Sequence, residues 1–284
     1  MERGALKFSL ILATVGRTDE LDRFLAHLAC QAYREFELII VDQNPAGVLD
    51  YIVRQYQNKF SLVHTHSERG LSRARNVGLK LASGDVIAFP DDDCWYPSDL
   101  MQHLVAKFEA DTPVDGVTGR CIGQDGQNWC RFDEIAGLVN RDNLFRKATA
   151  ATMFLRARLV QVVGPFDERM GVGAETPHRA GEDMDYLLRA LLHGFQLTYD
   201  PGLCVYHEPS VTEHGQRSWT RARDYGRGFG YLLKKHHYPL WFKLYMILRA
   251  VGGVSVSLAR CDFAQARYYL YSSMGRAVGC FASE

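Results

Sequence analysis

Residues 85–93 read Asp-Val-Ile-Ala-Phe-Pro-Asp-Asp-Asp, a short apolar run that ends in three consecutive carboxylates. The run has the length of a buried strand and stops at Pro90, so it delivers Asp91, Asp92 and Asp93 together at its carboxyl end. The same layout recurs upstream. Phe8 to Ala13 and Phe36 to Val41 predict strands that end at Thr14 and Asp42, and Ser61 to Thr65 predicts a third. Between them Glu20 to Ala32, residues 48–57 and Ser72 to Ala82 have helical periodicity. Alternating units of this length build a mostly parallel sheet flanked by helices, which takes ligands at the carboxyl ends of its strands. Thr14, Asp42 and the aspartate triplet are therefore expected on one rim.

Downstream, Asp99 to Ala110 predicts a helix, Gly116 to Cys121 a strand, and 122–147 a loop-rich stretch. Ala148 to Leu155 reads as a strand and Arg158 to Val163 as a short helix. Met170 to Gly181, with three glycines and a proline, reads as a mobile loop before a helix from Glu182 to His193. Gln196 to Tyr199 and Gly202 to Tyr206 read as two short strands.

The 284 residues are 47% hydrophobic and 23% charged, which excludes a disordered or collagen-like chain. Lys+Arg and Asp+Glu number 33 each, so no basic excess argues for nucleic acid as a partner. That neutrality is a cancellation: residues 217–284 carry +8 and residues 1–216 carry −8. The seven cysteines form no CxxC pair and no zinc spacing, as expected of reduced thiols in the cytosol. Phe8 to Ala13 is too short for a signal-peptide core, so the protein is expected to stay inside the cell.

Four features could carry chemistry. Three adjacent acids repel one another and are tolerable beside a hard divalent cation, although the triplet alone reads equally as a solvated acidic turn. Glu68-Arg-Gly-Leu-Ser-Arg-Ala-Arg-Asn76 puts a glycine and three arginines where a loop enters a helix, a seat for a diphosphate or else a basic solvent face. In Gly181-Glu-Asp-Met-Asp185 acids open a helix, where they suit its dipole. Met184, Leu187, Leu188 and Leu191 form the predicted core stripe, and Asp183 lies off it, placed to act as a general base. His207 ends a predicted strand and becomes a credible metal ligand only beside the acidic rim.

Taken in order, Thr14, Asp42, the Arg69 to Asn76 run, Phe89-Pro-Asp-Asp-Asp93, Gly181-Glu-Asp183 and Val205-Tyr-His207 resemble the family 2 glycosyltransferases of the GT-A, Rossmann-like fold, over about residues 6–210. The resemblance implies that Asp42 meets a nucleotide base, with Thr14 near base and ribose, and that Arg69 and Arg75 lie close to the diphosphate or sugar. It implies that Asp93 holds Mg²⁺ or Mn²⁺ with His207 completing the shell, while Asp91 or Asp92 contacts ribose and sugar. Asp183 would be the catalytic base of an inverting transfer from a UDP-, GDP- or dTDP-linked sugar, and Glu182 would contact acceptor or donor sugar. Two departures stand out. Ala13-Thr-Val-Gly-Arg17 replaces the common Pro-Thr-Tyr-Asn-Arg type, and the Gln-x-x-Arg-Trp signature of processive synthases is absent, which implies one sugar per binding event.

Residues 1–216 are thus expected to form the catalytic domain and 217–284 a helical extension that is basic and aromatic. Leu240 to Ala259 is mostly apolar but carries Lys243 and Arg249, which makes a full span costly and favours helices lying on an anionic membrane at the inner face of the cell membrane. A glycan or lipid-linked acceptor would suit such a tail; the alternative is a helical subdomain packed on the core or at a homodimer interface. Two other functions stay open: an inactive nucleotide-sugar-binding domain, and a sugar-nucleotide nucleotidyltransferase, for which Ala13 to Asp19 lacks the glycine-rich run and following Lys.

Overall fold

The structure, a computed structural model, describes residues 4–110, 114–207 and 215–282. In chain order it contains β1 (Phe8–Thr14), α1 (Asp19–Ala29), β2 (Phe36–Asp42), α2 (Asp50–Tyr56), β3 (Ser61–His66), α3 (Leu71–Leu79), β4 (Val86–Ala88), β5 (Cys94–Trp95), α4 (Leu100–Phe108) and β6 (Gly116–Ile122). There follow β7 (Gly137–Leu138), β8 (Phe154–Arg156), α5 (Ala157–Val163), α6 (Glu182–Leu192), β9 (Leu197–His207), α7 (Gln216–Lys235), α8 (Leu240–Ala259) and α9 (Phe263–Phe281).

By internal contacts the chain forms two units: residues 1–69, 73–166 and 186–209, and residues 70–72, 167–185 and 210–284. The first holds one sheet in the order β3-β2-β1-β4-β8-β6-β9-β5, with β7 on β9. The parallel part expected from the sequence is β3-β2-β1-β4; beyond it β8 inserts antiparallel to both β4 and β6, and the sheet becomes mixed. All seven residues of β2 are buried, as a central strand covered on both faces requires. Leu21, Phe24, Leu25 and Leu28 of α1 are buried as well, each such side chain contributing about 1.5–3 kcal/mol by burial.

Two local readings change. The stretch read as a strand from Ala148 has a 3₁₀ turn at Ala150–Thr152, where the Thr152 hydroxyl donates to the Gly119 carbonyl at 3.1 Å, and becomes a strand only at Phe154. The two short strands expected around Pro201-Gly202 are one, β9, because the irregularity is absorbed by a register shift between Thr118 and Arg120 of β6. A Cβ at Gly119 would strike the Leu203 carbonyl, so glycine permits this close passage.

The second unit is built on α7 and α9. A Cβ at Gly226 or Gly230 would collide with the Ser272 or Arg276 carbonyl, and one at Gly275 or Gly279 with the Arg223 or Arg227 carbonyl. The two helices therefore run side by side in the same direction at backbone contact. Among the described residues α8 alone is long and apolar enough to cross a membrane by length and composition, and only 22% of its most apolar window is buried.

Candidate active site

Register puts Thr14 opposite Asp42 on neighbouring parallel strands, and a bridge joins Ala13 to Asp91 just past β4. The rim expected from the sequence is thus assembled within the first unit. Asp42 is buried; its Oδ1 accepts from the Asn44 backbone and side-chain amides, each at 2.8 Å. Its Oδ2 lies 3.0 Å from His64 Nε2 and 3.9 Å from His66 Nδ1. Sequence reasoning gave these histidines no role, although their spacing of two places them on one side of a strand whose register aligns His66 with Asp42.

The triplet is held by the turn that follows it. Cys94 Sγ donates to the Asp91 carbonyl at 2.9 Å, and the β5–β9 pairing sets Cys94 opposite His207. That register brings His207 Nε2 to 3.1 Å from Asp93 Oδ1. Asp91, Asp93 and His207 offer one ligand atom each within 4.8 Å of one another, two carboxylate oxygens and an imidazole nitrogen, a donor set that fits Mg²⁺ or Mn²⁺. The structure thus groups Asp91, expected at ribose or sugar, with Asp93 and His207. Trp129 tilts over His207 with ring centroids 4.7 Å apart.

Asp92 turns elsewhere: it accepts from Thr14 Oγ1 at 2.7 Å and from Arg17 Nη1 at 2.7 Å. Arg17 also reaches Asp93 Oδ2 at 2.5 Å, so this arginine, given no role from the sequence, bridges two acids of the triplet. Its signal was the arginine closing the Thr14-Val-Gly-Arg17 run. Enclosure pushes the Asp91 carboxyl up to about 6, with Arg75 pulling the other way and Asp93 and Asp92 adding to the rise. Burial also raises Asp92 against the pull of Arg17, whereas at Asp93 it is outweighed by His207 and Arg17, which hold that carboxyl below its usual range.

Arg75 is buried, only 2% exposed, with its guanidinium 3.4 Å from Asp91 Oδ1 and over the Phe89 and Phe166 rings. Arg69 is exposed, while Arg73 pairs with Glu68 at 2.6 Å.

In the second unit, Glu182 and Asp183 open α6. Glu182 is buried, and Asp183 is half-buried with Oδ1 accepting from the Met184 N–H at 2.8 Å. The loop before them carries no helix or strand, yet it is tied down: Leu71 N–H donates to the Val172 carbonyl at 2.8 Å, and Ser72 Oγ to the Met170 carbonyl at 2.7 Å. Gly171 has φ +101°, and its missing Cβ leaves room for Ser72 and Glu182. Asp185 is fully buried between Lys235 Nζ at 2.6 Å and His236 Nε2 at 2.8 Å, which fixes the first turn of α6 to the end of α7. Of the predicted apolar stripe, Leu187 and Leu188 are buried and Met184 and Leu191 are half-buried; Asp185 and Tyr186 complete the buried side.

Residues 9–163 match the sequence profile of glycosyl transferase family 2. The glycosyltransferase AglE of Haloferax volcanii is 24% identical over 67% of this chain and 63% of its own length. A validoxylamine A glucosyltransferase of Streptomyces hygroscopicus is 30% identical over 42% of this chain and 30% of its own. The chain thus spans less than two thirds of either relative. Among solved structures, the mannosyltransferase PcManGT of Pyrobaculum calidifontis, in complex with GDP-Man and Mn²⁺, superposes with a TM-score of 0.66 at 15% identity, covering 99% of this chain and 89% of that one. TarS residues 1–349 of Staphylococcus aureus, in complex with UDP-GlcNAc, superpose with a TM-score of 0.58 at 18% identity, covering 96% and 91%. With more than half its length matched to the profile and its mixed sheet superposing on glycosyltransferases, the chain belongs to glycosyl transferase family 2 and has the GT-A type of fold.

Proposed function

We propose that the protein is an inverting glycosyltransferase that moves one sugar from a nucleoside-diphosphate sugar to a hydroxyl acceptor with the help of Mg²⁺ or Mn²⁺. The observation that carries this reading is the Asp91, Asp93 and His207 cluster at the carboxyl rim of a sheet of this family. A dication there would neutralise the charge that grows on the departing diphosphate. The protein's own groups divide the rest of the work. Asp42 and Thr14 bind the nucleoside, Arg69 and Arg75 face the diphosphate or sugar, and Arg17 and Asp92 brace the rim. Asp183 takes the proton of the attacking hydroxyl, and Glu182 contacts the acceptor or donor sugar.

Support for a nucleotide-sugar donor comes from similar proteins solved with GDP-Man or UDP-GlcNAc. Purified protein with Mn²⁺ is to be offered a panel of UDP-, GDP- and dTDP-sugars, and nucleotide release read by mass spectrometry with and without chelator. Turnover of one donor that is lost with chelator, and a fall in kcat of about 10²–10⁴-fold in Asp183→Asn, is the expected result. No turnover of any donor overturns the transferase, and an unchanged rate in Asp183→Asn overturns the base.

The same reading sets the protein on the inner face of the cell membrane, in the synthesis of cell-surface or exported glycans. Six large apolar residues of α8, namely Leu240, Trp241, Leu244, Tyr245, Leu248 and Val251, are 42–66% exposed, and Phe242, Met246 and Ala250 form the opposite, buried side. An exposed apolar face with Lys243 and Arg249 at its flanks suits an anionic lipid surface.

A further inference from the structure

The second unit contains a cavity of about 350 Å³ lined by none of the residues assigned above to the transfer reaction. Arg169, Arg227, Lys234 and His178 line it with Thr176 and Tyr231, and no carboxylate does so among the described residues. Asp167, 2.9 Å from Arg169, offsets that one guanidinium. Arg227 has no ion-pair partner among the described residues, and Lys234 Nζ meets only an uncharged group, the Ala282 carbonyl at 2.9 Å. The wall is firm: the His178 ring stacks on Tyr231 with centroids 3.8 Å apart and planes 9° apart. Such a site holds uncompensated positive charge in a volume suited to a small ligand group.

The cavity also adjoins apolar surface. Val278 lines it, and Val278 belongs to the exposed series Phe263, Leu270, Met274, Val278 and Phe281 of α9, each 44–70% exposed. Steps of seven, four, four and three residues keep these five on one side of the helix. A soluble helix gains nothing by leaving such a stripe bare beside a cationic cavity. A ligand with an anionic head and a long apolar chain satisfies both.

We infer that this cavity seats the phosphate of an amphiphilic phosphate ester whose apolar chain lies along the α9 stripe. Arg227 and Lys234 supply charge-assisted hydrogen bonds to the phosphate, and Met274 and Val278 the first contacts of the chain. As the seat of a lipid-phosphate acceptor the cavity rests on the transferase reading; as a binding site it stands without it.

The test titrates the full chain with farnesyl phosphate below its micelle concentration, with farnesol, and with inorganic phosphate, by calorimetry. Farnesyl phosphate is expected to bind at least about tenfold tighter than either of the others, because it alone engages both surfaces. Arg227→Gln is expected to weaken farnesyl phosphate about tenfold or more and to leave farnesol unchanged, and Met274→Gln to weaken both. Melting curves report whether each variant is folded; should Arg227→Gln unfold, Lys234→Gln carries the same comparison. Equal binding of farnesyl phosphate and farnesol, or farnesyl phosphate bound by the arginine variant as by the wild type, overturns the inference. Phosphate bound as tightly as its farnesyl ester reduces the site to one for free anions and overturns it too. Donor turnover is a separate readout: charge-dependent farnesyl phosphate binding without turnover sinks the transferase and keeps the cavity, and turnover without such binding does the reverse.

Discussion

Replacing Glu37 with Gln tests the polar joint that holds β1, β2 and the approach to β4 together. The Glu37 side chain is 9% exposed, and its carboxylate accepts from Lys7 Nζ at 2.8 Å, Ser9 Oγ at 2.5 Å, the Ser83 N–H at 2.8 Å and Ser83 Oγ at 2.9 Å. Burial alone would raise this carboxyl, but the donors win and hold it at about 2 against an ordinary 4.5. That difference corresponds to about 3 kcal/mol, of which about 2 kcal/mol remains after discounting the share of Lys7, whose ammonium is 38% exposed and screened. Because the folded value is the depressed one, the stabilisation is complete above the unfolded value of 4.5 and is lost as pH falls toward 2. Urea unfolding of the wild type and Glu37→Gln at pH 7 should differ by about 2 kcal/mol, and by less than half of that at pH 3, where much of the wild-type carboxylate advantage has gone. A gap of the same size at both pH values would refute the assignment, because it would place the cost in lost packing rather than in the charge.

His207→Ala removes the nitrogen of the proposed metal shell, and Mn²⁺ affinity by calorimetry should fall about 10–100-fold, whereas a structural histidine would move only the melting temperature. Gly275→Val forces a side chain against the Arg223 carbonyl and should destabilise the α7–α9 pair by about 3 kcal/mol or more, read as loss of the melt associated with the helical unit. Wild-type protein should float with anionic liposomes and Leu244→Glu/Leu248→Glu should stay with the soluble fraction; equal partition of the two overturns the proposed membrane face of α8.

The parallel half of the sheet was legible because β1, β2 and β4 are short, mainly apolar runs whose ends are marked by a polar residue, as at Thr14, Asp42 and Asp91. The antiparallel part was legible only in fragments: β5, two residues long, is too short to show a period, and β8, three residues long, was read as a longer strand from Ala148. Pro201-Gly202 misled for another reason: local turn chemistry was overridden by pairing with β6, whose Gly119 accommodates the irregularity. Within the site, residue types were readable and partners were not. Arg17 lies three residues past the end of β1, yet its contacts to Asp92 and Asp93 come from positions 75 and 76 residues away in sequence. Asp185 showed the same limit. An acid in a first helical turn reads as a dipole partner, and only tertiary structure supplies the lysine and histidine that make it a buried ionic anchor.

Asp91, Asp92 and Asp93 carry three negative charges when ionised, and Arg17 and Arg75, in contact with them, return two positive ones. A dication added to that near-balance leaves the rim net positive. A diphosphate is the anion that restores the balance, and it loses most of that benefit when the cation is absent. Metal and nucleoside diphosphate should therefore bind with positive coupling, of about 5–150-fold, and by linkage each must tighten the other by the same factor. Titrating Mn²⁺ in the presence and absence of UDP or GDP, and the nucleotide in the presence and absence of Mn²⁺, closes the cycle. Arg17→Gln removes one of the two built-in cations, so it should strengthen Mn²⁺ binding by itself and shrink the coupling. Independent binding of metal and nucleotide would refute the charge balance, and Mn²⁺ held more weakly by folded Arg17→Gln than by the wild type would show that the arginine builds the metal site rather than competing for its charge.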